Sequence, residues 1–219
     1  MIGEQVTQVE VTGAGVTGDR AYGIIDDVTG RLLSAKREPR LLGAAAAWRD
    51  GEAIITLPSG RNLAASDPAA RTVVSSWLGR PVRLVRGTSG FVDDAPVHLI
   101  SDFALRTAGD VRSFRPNVLL RGFTGDETGE PEAEWLTRPA GFVLGIGAVR
   151  LAAIAACVRC VMVTHPQRDL PADLTVLRKL KRRHDSTLGI YAQVHAPGVI
   201  ALGDRISEVS AAVPAESLP

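Results

Sequence analysis

Two cysteines, Cys157 and Cys160, are all that 219 residues contain, which is too few for a disulfide framework. Their spacing of three points to a reducing compartment, so the chain is expected in the cytoplasm. Net charge is also nearly absent. With 25 Lys and Arg against 24 Asp and Glu, the formal charge is +1, and there is no global field to argue for nucleic acid or a membrane surface. Long apolar runs are missing too: nothing approaches the roughly 18 residues of a membrane span. The opening residues Met1 to Gln5 have neither a basic region nor an apolar signal core. What is present is 45% apolar residues, enough for the core of one large domain or two small ones.

The chain reads as short strands separated by turns. Residues 5–11 alternate around Val6, Val9 and Val11. Gly13-Ala-Gly-Val-Thr-Gly18 then matches the dinucleotide-binding pattern Gly-x-Gly-x-x-Gly, but a second strand at 21–26 follows where that pattern needs a helix. The glycines are therefore expected to shape a connection between strands. A strand at 32–35 would complete a hairpin with 21–26. Pro39 bars a central strand through 36–40, and further strands are expected at 44–49, 53–57 and 62–64. Asp67, Pro68 and Gly79 predict a helix over 68–78, capped at both ends, with a strand at 82–85 after it. In the second half, a strand ends in Ser101, the expected N-cap of a helix over 102–108 whose N-terminus could hold an anion. Phe114-Arg-Pro-Asn117 opens a strand at 118–120. The acids of 125–134 read as a solvated loop, with cation binding as the alternative. Strands at 142–146 and 149–154 lead to the cysteines, a helix with a strongly basic C-terminal half is expected over 172–183, and a strand begins at Gly189.

The segment Cys157-Val-Arg-Cys-Val-Met-Val-Thr-His-Pro166 carries the chemistry-bearing side chains. A cysteine sulfur is both a nucleophile and a soft metal ligand. A structural zinc site would need about four ligands, and the scattered His98, His165, His184 and His195 offer no second pair. A thioredoxin-like pair would open a helix, whereas 149–154 and 161–164 read as strand. Two buried, inert cysteines are the remaining alternative.

Taken in order, Gly18-Asp-Arg20, Arg37-Glu-Pro-Arg-Leu41, Asp94-Ala-Pro-Val-His-Leu-Ile-Ser101, Phe114-Arg-Pro-Asn117, Trp135, Arg159-Cys160, Gly189-Ile-Tyr191 and Pro197-Gly198 through Gly203-Asp204 resemble the MOSC family, among them the amidoxime-reducing components. The resemblance implies a mainly β (α+β) fold. A MOSC N-terminal β-barrel-like domain would occupy 1–86 and a MOSC domain 87–206, with a disordered tail over 207–219. It implies the molybdenum cofactor (molybdopterin), with Cys160 as catalytic residue and molybdenum ligand. Arg20, Arg37, Ser101, Arg115, Asn117, Arg159 and Tyr191 would contact the pterin or its phosphate. The activity implied is reduction of N-hydroxylated or N-oxide compounds, with electrons from a separate donor protein of ferredoxin or flavin-reductase type. No nucleic-acid or membrane partner is implied. The alternative is a sulfur carrier or transferase that uses a Cys160 persulfide without bound metal. Two departures stand out. The family's leading Pro-Val-Lys-Ser segment is not matched, and its Thr-Val-Asp-Pro is replaced by Thr164-His165-Pro166, which puts an imidazole near the site, expected as a loop histidine with no role, with a proton donor as the alternative.

Overall fold

The computed structural model describes residues 1–88, 90–92, 94–123, 131–138 and 142–210. The chain is mainly β with few helices, as the resemblance implies. Its first part runs β1 (Gln8–Thr12), β2 (Gly15–Val16), β3 (Tyr22–Asp26), a 3-10 turn (Pro39–Gly43), β4 (Ala45–Arg49), β5 (Glu52–Thr56), β6 (Asn62–Ala64), α1 (Pro68–Leu78) and β7 (Val82–Arg86). The second part runs β8 (Val97–Ser101), α2 (Asp102–Ala108), α3 (Val111–Phe114), β9 (Val118–Leu120), a 3-10 helix (Pro131–Thr137), β10 (Phe142–Ile146), β11 (Val149–Val158), a 3-10 helix (Val161–Thr164), α4 (Val176–Arg183), β12 (Thr187–Ala196), β13 (Gly198–Ala201) and β14 (Ile206–Ser210).

Helix α1 forms where local signals place it. Asp67 Oδ1 accepts from the Ala69 N–H at 2.7 Å, Pro68 fills the first turn, and Gly79 takes φ 61°, the left-handed conformation that ends a helix without a Cβ penalty. Ala70, Val74 and Leu78, four apart, form its buried stripe. They pack with Ile24, Leu41, Ile55, Leu63 and Val82 as the core of the first part. The expected hairpin between 21–26 and 32–35 does not form. Only an isolated bridge, Ile25 to Leu32, remains there, and β3 pairs along its length with β7, Tyr22 opposite Arg86 through Asp26 opposite Val82. The two pairings use opposite edges of β3; on the β7 side Val82 is fully buried and Leu84 packs against the α1 core, while on the other side Leu33 reaches that core and Leu32 is 39% exposed.

The second part is built on a half-barrel sheet in the order β14-β10-β11-β12-β8-β9, antiparallel except for β8 and β9. β1 pairs on one side with β13 and on the other with β2. Val11 thus packs into the core of the second part with Leu99, Leu144, Leu151 and Ile190. No helix follows Gly18, consistent with rejecting a dinucleotide loop; Gly18, at φ 83°, packs against the Trp48 ring where a Cβ would collide. Three further corrections apply. Residues 161–164 are a 3-10 helix, not a strand. The last helix begins at Val176, not 172, leaving Leu174 77% exposed. Ser207 and the residues up to Ser210 belong to β14, which pairs with β10, so the regular structure runs past the start of the expected disordered tail; 211–219 lie outside the described residues. No helix among the described residues is long and apolar enough to cross a membrane.

Candidate functional site

A cleft of about 1900 Å³ runs between the two parts, with Asp19, Arg20, Trp48, Arg115, Asn117 and Met162 in its wall. Its chemistry starts from backbone geometry. Arg20 and Arg115, both arginines of the cleft that the resemblance singles out, have φ values of 51° and 54°, a conformation that non-glycine residues adopt at a cost and that recurs at functional sites. Arg20 follows the β2 turn, and its carbonyl accepts from the Phe91 N–H at 2.9 Å, so the link between the parts holds it. Arg115 is the C-cap of α3. Its Nη2 donates to the Met1 carbonyl at 2.9 Å, and its Nη1 lies 3.8 Å from the Met162 sulfur.

Asn117 ties the cleft together. Its Oδ1 accepts from the His98 N–H at 2.9 Å, and its Nδ2 donates to Asp19 Oδ2 at 2.8 Å across 98 residues of sequence. Asp19 is also ion-paired with Arg20. The carboxylate thus holds one cation and the amide in a fixed relation, and Asn117 acts on the cleft mainly as its clip.

Behind the cleft lies a second constellation. Arg159 Nη1 donates to Cys157 Sγ at 2.7 Å and lies 3.3 Å from His98 Nε2; its Nη2 donates to the Phe114 carbonyl at 2.7 Å. The guanidinium also sits over the Phe114 ring, 5.3 Å from its centroid. Burial, and then the Arg159 cation, push the His98 imidazole down to about 3, so His98 is neutral at physiological pH. The Tyr191 ring is tilted against His98 at 5.5 Å. Burial first, and then its hydrogen bond to Cys157, hold the Tyr191 phenol well above its usual range. Gly189 makes this approach possible: at φ 73°, a Cβ there would strike the Leu99 carbonyl, Ile100 and His98.

The sites expected from the sequence therefore separate into groups. Arg20, Arg115 and Asn117 meet in the cleft. Arg159 and Tyr191 meet in the buried constellation with Cys157, which is 2% exposed at the end of β11. Cys160 is exposed, at the N-cap position of the 3-10 helix, two residues from Met162, which lines the cleft. Two expected contacts are not brought in. Arg37 is exposed and outside the cleft wall. Ser101 is fully buried; its Oγ accepts from the Ala104 N–H at 3.0 Å as the cap of α2, and its N–H donates to Glu132 Oε1 at 2.8 Å. Its hydroxyl oxygen thus serves as the acceptor of the cap, and the neighbour of its N–H is a carboxylate. Glu132 is itself fully buried, which corrects the reading of 125–134 as a solvated loop; Asp126, Glu127 and Glu130 lie outside the described residues. Sequence reasoning missed His98 and the structural use of Cys157. A titratable side chain inside the apolar run Val97-His-Leu-Ile100 was the available signal for the first.

Two guanidiniums on one cleft, Arg20 held by Asp19 and Arg115 by the Met1 carbonyl, are a donor set that fits an anionic organic phosphate. Two buried nitrogens, Arg159 Nε and His165 Nε2, have no partner among the described residues. Residues 88–207 match the MOSC domain model and residues 1–78 the MOSC N-terminal beta barrel domain model. The chain belongs to the MOSC family. That family is associated with binding of the molybdenum cofactor. No curated protein matches this MOSC chain. Among solved structures, the crystal structure of the YUAD protein from Bacillus subtilis is similar at 12% identity, over 94% of this chain and 87% of that one, with a TM-score of 0.48.

Proposed function

We propose that this MOSC protein binds the molybdenum cofactor and works as an oxidoreductase on N-hydroxylated or N-oxide compounds. The observation that carries the reading is the exposed Cys160, two residues along the chain from Met162 of the cleft wall, in a segment whose preceding residue, Arg159, is fixed by Cys157, His98 and Phe114. When bound, the metal centre supplies two-electron removal of oxygen. The protein's part is positional. Arg20 and Arg115 would receive the phosphate, Asp19 and Asn117 would fix their placement, and the Cys160 sulfur would ligate the metal, a soft donor suited to it. Reduction breaks the substrate's N–O bond, takes in two electrons and two protons, and releases water. The electrons come from a separate donor protein.

A second reading, a sulfur carrier with a Cys160 persulfide and no metal, draws support from the exposure of Cys160, since a sulfur donor protein must reach it. One experiment separates the two. Protein made in a cofactor-competent host should contain molybdenum by elemental analysis and reduce an N-hydroxylated amidine with an artificial electron donor. Absence of molybdenum together with one added sulfur on Cys160 by mass spectrometry would transfer the assignment to the second reading.

A further inference from the structure

Four cations of α4, Arg178, Lys181, Arg182 and Arg183, stand in solvent and make no ion pair among the described residues. Several arginines elsewhere in the molecule are arranged differently. Arg71 and Arg83 share Asp27, Arg40 is forked on Glu38, and Arg112 lies between Asp110 and Asp169. On α4 itself only Lys179 is paired, with Asp173 at 3.4 Å. Favourable interaction with the helix C-terminus accounts for cations in the last turn, but not for the lack of counter-charges, nor for what lies next to them.

What lies next to them is Cys160. The Ser186 N–H donates to the Leu180 carbonyl at 3.3 Å, and the Ser186 carbonyl accepts from the Arg159 N–H at 2.9 Å. The end of α4 is thereby fastened to the residue that precedes the exposed thiol. Beneath the surface, Val163 of the 3-10 helix packs with Val176 and Leu180 of α4. Around Cys160, Val158 is 70% and Val161 42% exposed. An exposed thiol and two exposed valines therefore adjoin a row of unpaired cations.

We propose that this surface docks an acidic electron-carrier protein, with Val158 and Val161 in the centre of the contact and the α4 cations as its rim. The proposal rests on the reading of Cys160 as the molybdenum-holding residue. An apolar centre within a charged rim is the anatomy of a protein interface. Unpaired rim cations steer an acidic partner and set the salt dependence of its approach. Nucleic acid would draw on the cations but leave the exposed valines without a role, and anionic vesicles that sedimented this chain and displaced the ferredoxin would overturn the proposal.

The test uses the full chain and an acidic [2Fe–2S] ferredoxin as probe, with binding followed by calorimetry and by spectral perturbation at rising NaCl. The reversal variant Arg178→Glu/Lys181→Glu/Arg182→Glu changes only exposed positions. The control, Arg31→Glu/Arg61→Glu, reverses two exposed arginines outside α4. Binding that weakens steeply with salt is expected, lost by roughly tenfold or more in the α4 variant and kept in the control. No binding at low salt, equal affinity in wild type and the α4 variant, or an oligonucleotide competing for the face as strongly as the ferredoxin would overturn the proposal. Molybdenum content is measured on the same samples. Protein that binds the ferredoxin but holds no molybdenum refutes the function while leaving the docking surface intact; protein that holds molybdenum but binds indifferently refutes the docking surface alone.

Discussion

Acidification should weaken the fold through His98 before most of its carboxylates titrate. In the folded protein the imidazole is 6% exposed and held at about 3 by burial and by Arg159; in the unfolded chain its pKa returns to about 6.5. The sign follows directly. Between these values the unfolded chain binds a proton that the native state refuses, so the stabilising contribution is fully present above the unfolded pKa and is lost as pH falls toward the folded one. From pH 7 to pH 5 this one group should lower the unfolding free energy by about 2 kcal/mol, with a slope approaching about 1.4 kcal/mol per pH unit at the acidic end. The groups facing it sharpen the effect. Arg159 Nη1 is 3.3 Å from Nε2, so a proton there would set two cations side by side in a buried place, with the Tyr191 ring as the other neighbour. The assay is urea unfolding at both pH values for wild type and His98→Gln, which keeps an acceptor for Arg159 but does not titrate. His184, also lowered by burial, contributes with the same sign in both proteins and cancels in the difference. Parallel pH slopes in the two would refute the reasoning, as would a proton NMR titration in which every histidine signal moves above pH 5.

The two cysteines should respond differently to replacement. Cys160→Ala should lose molybdenum and N-reductive activity while keeping the wild-type melting temperature, because the side chain is exposed. Cys157→Ala should keep both and lose about 1–2 kcal/mol by urea titration, from a deleted buried sulfur and one hydrogen bond to Arg159; equal loss of activity in the two variants would point to a paired-thiol mechanism. Asn117→Ala should cost about 1–3 kcal/mol and loosen the cleft, since it leaves the His98 N–H without a partner and Asp19 with Arg20 alone; an unchanged denaturation midpoint would refute its role as a clip. Asp67→Ala should cost about 1 kcal/mol by removing the N-cap of α1, with no change in cofactor content.

What the sequence determined by itself is whatever depends on near neighbours. Asp67, Pro68 and Gly79 bound α1 because capping is satisfied within one turn of chain, and the limits of α2, β6, β9 and β10 fell where turn residues and apolar alternation put them. The family, too, was legible, because short motifs kept their order along the chain. Tertiary structure decided whatever depends on which distant surfaces meet. β3 pairs along its length with β7, 56 residues on at Asp26 opposite Val82, and keeps only a bridge to Leu32 on its other edge. Strand alternation alone would place Cys157 and Cys160 on opposite faces. The structure separates them for a different reason: β11 ends at Val158, and Cys160 leaves the sheet to start a 3-10 turn, exposed, while Cys157 stays buried under Arg159. Ser101 was read as a cap and as a phosphate contact; the cap is local, whereas Glu132, accepting from the Ser101 N–H from 31 residues away, was brought there by tertiary structure alone. Asp19 and Asn117 likewise became one unit only in three dimensions, where a carboxylate and an amide 98 residues apart meet at 2.8 Å. A hydrogen bond of that kind leaves no local pattern in either segment.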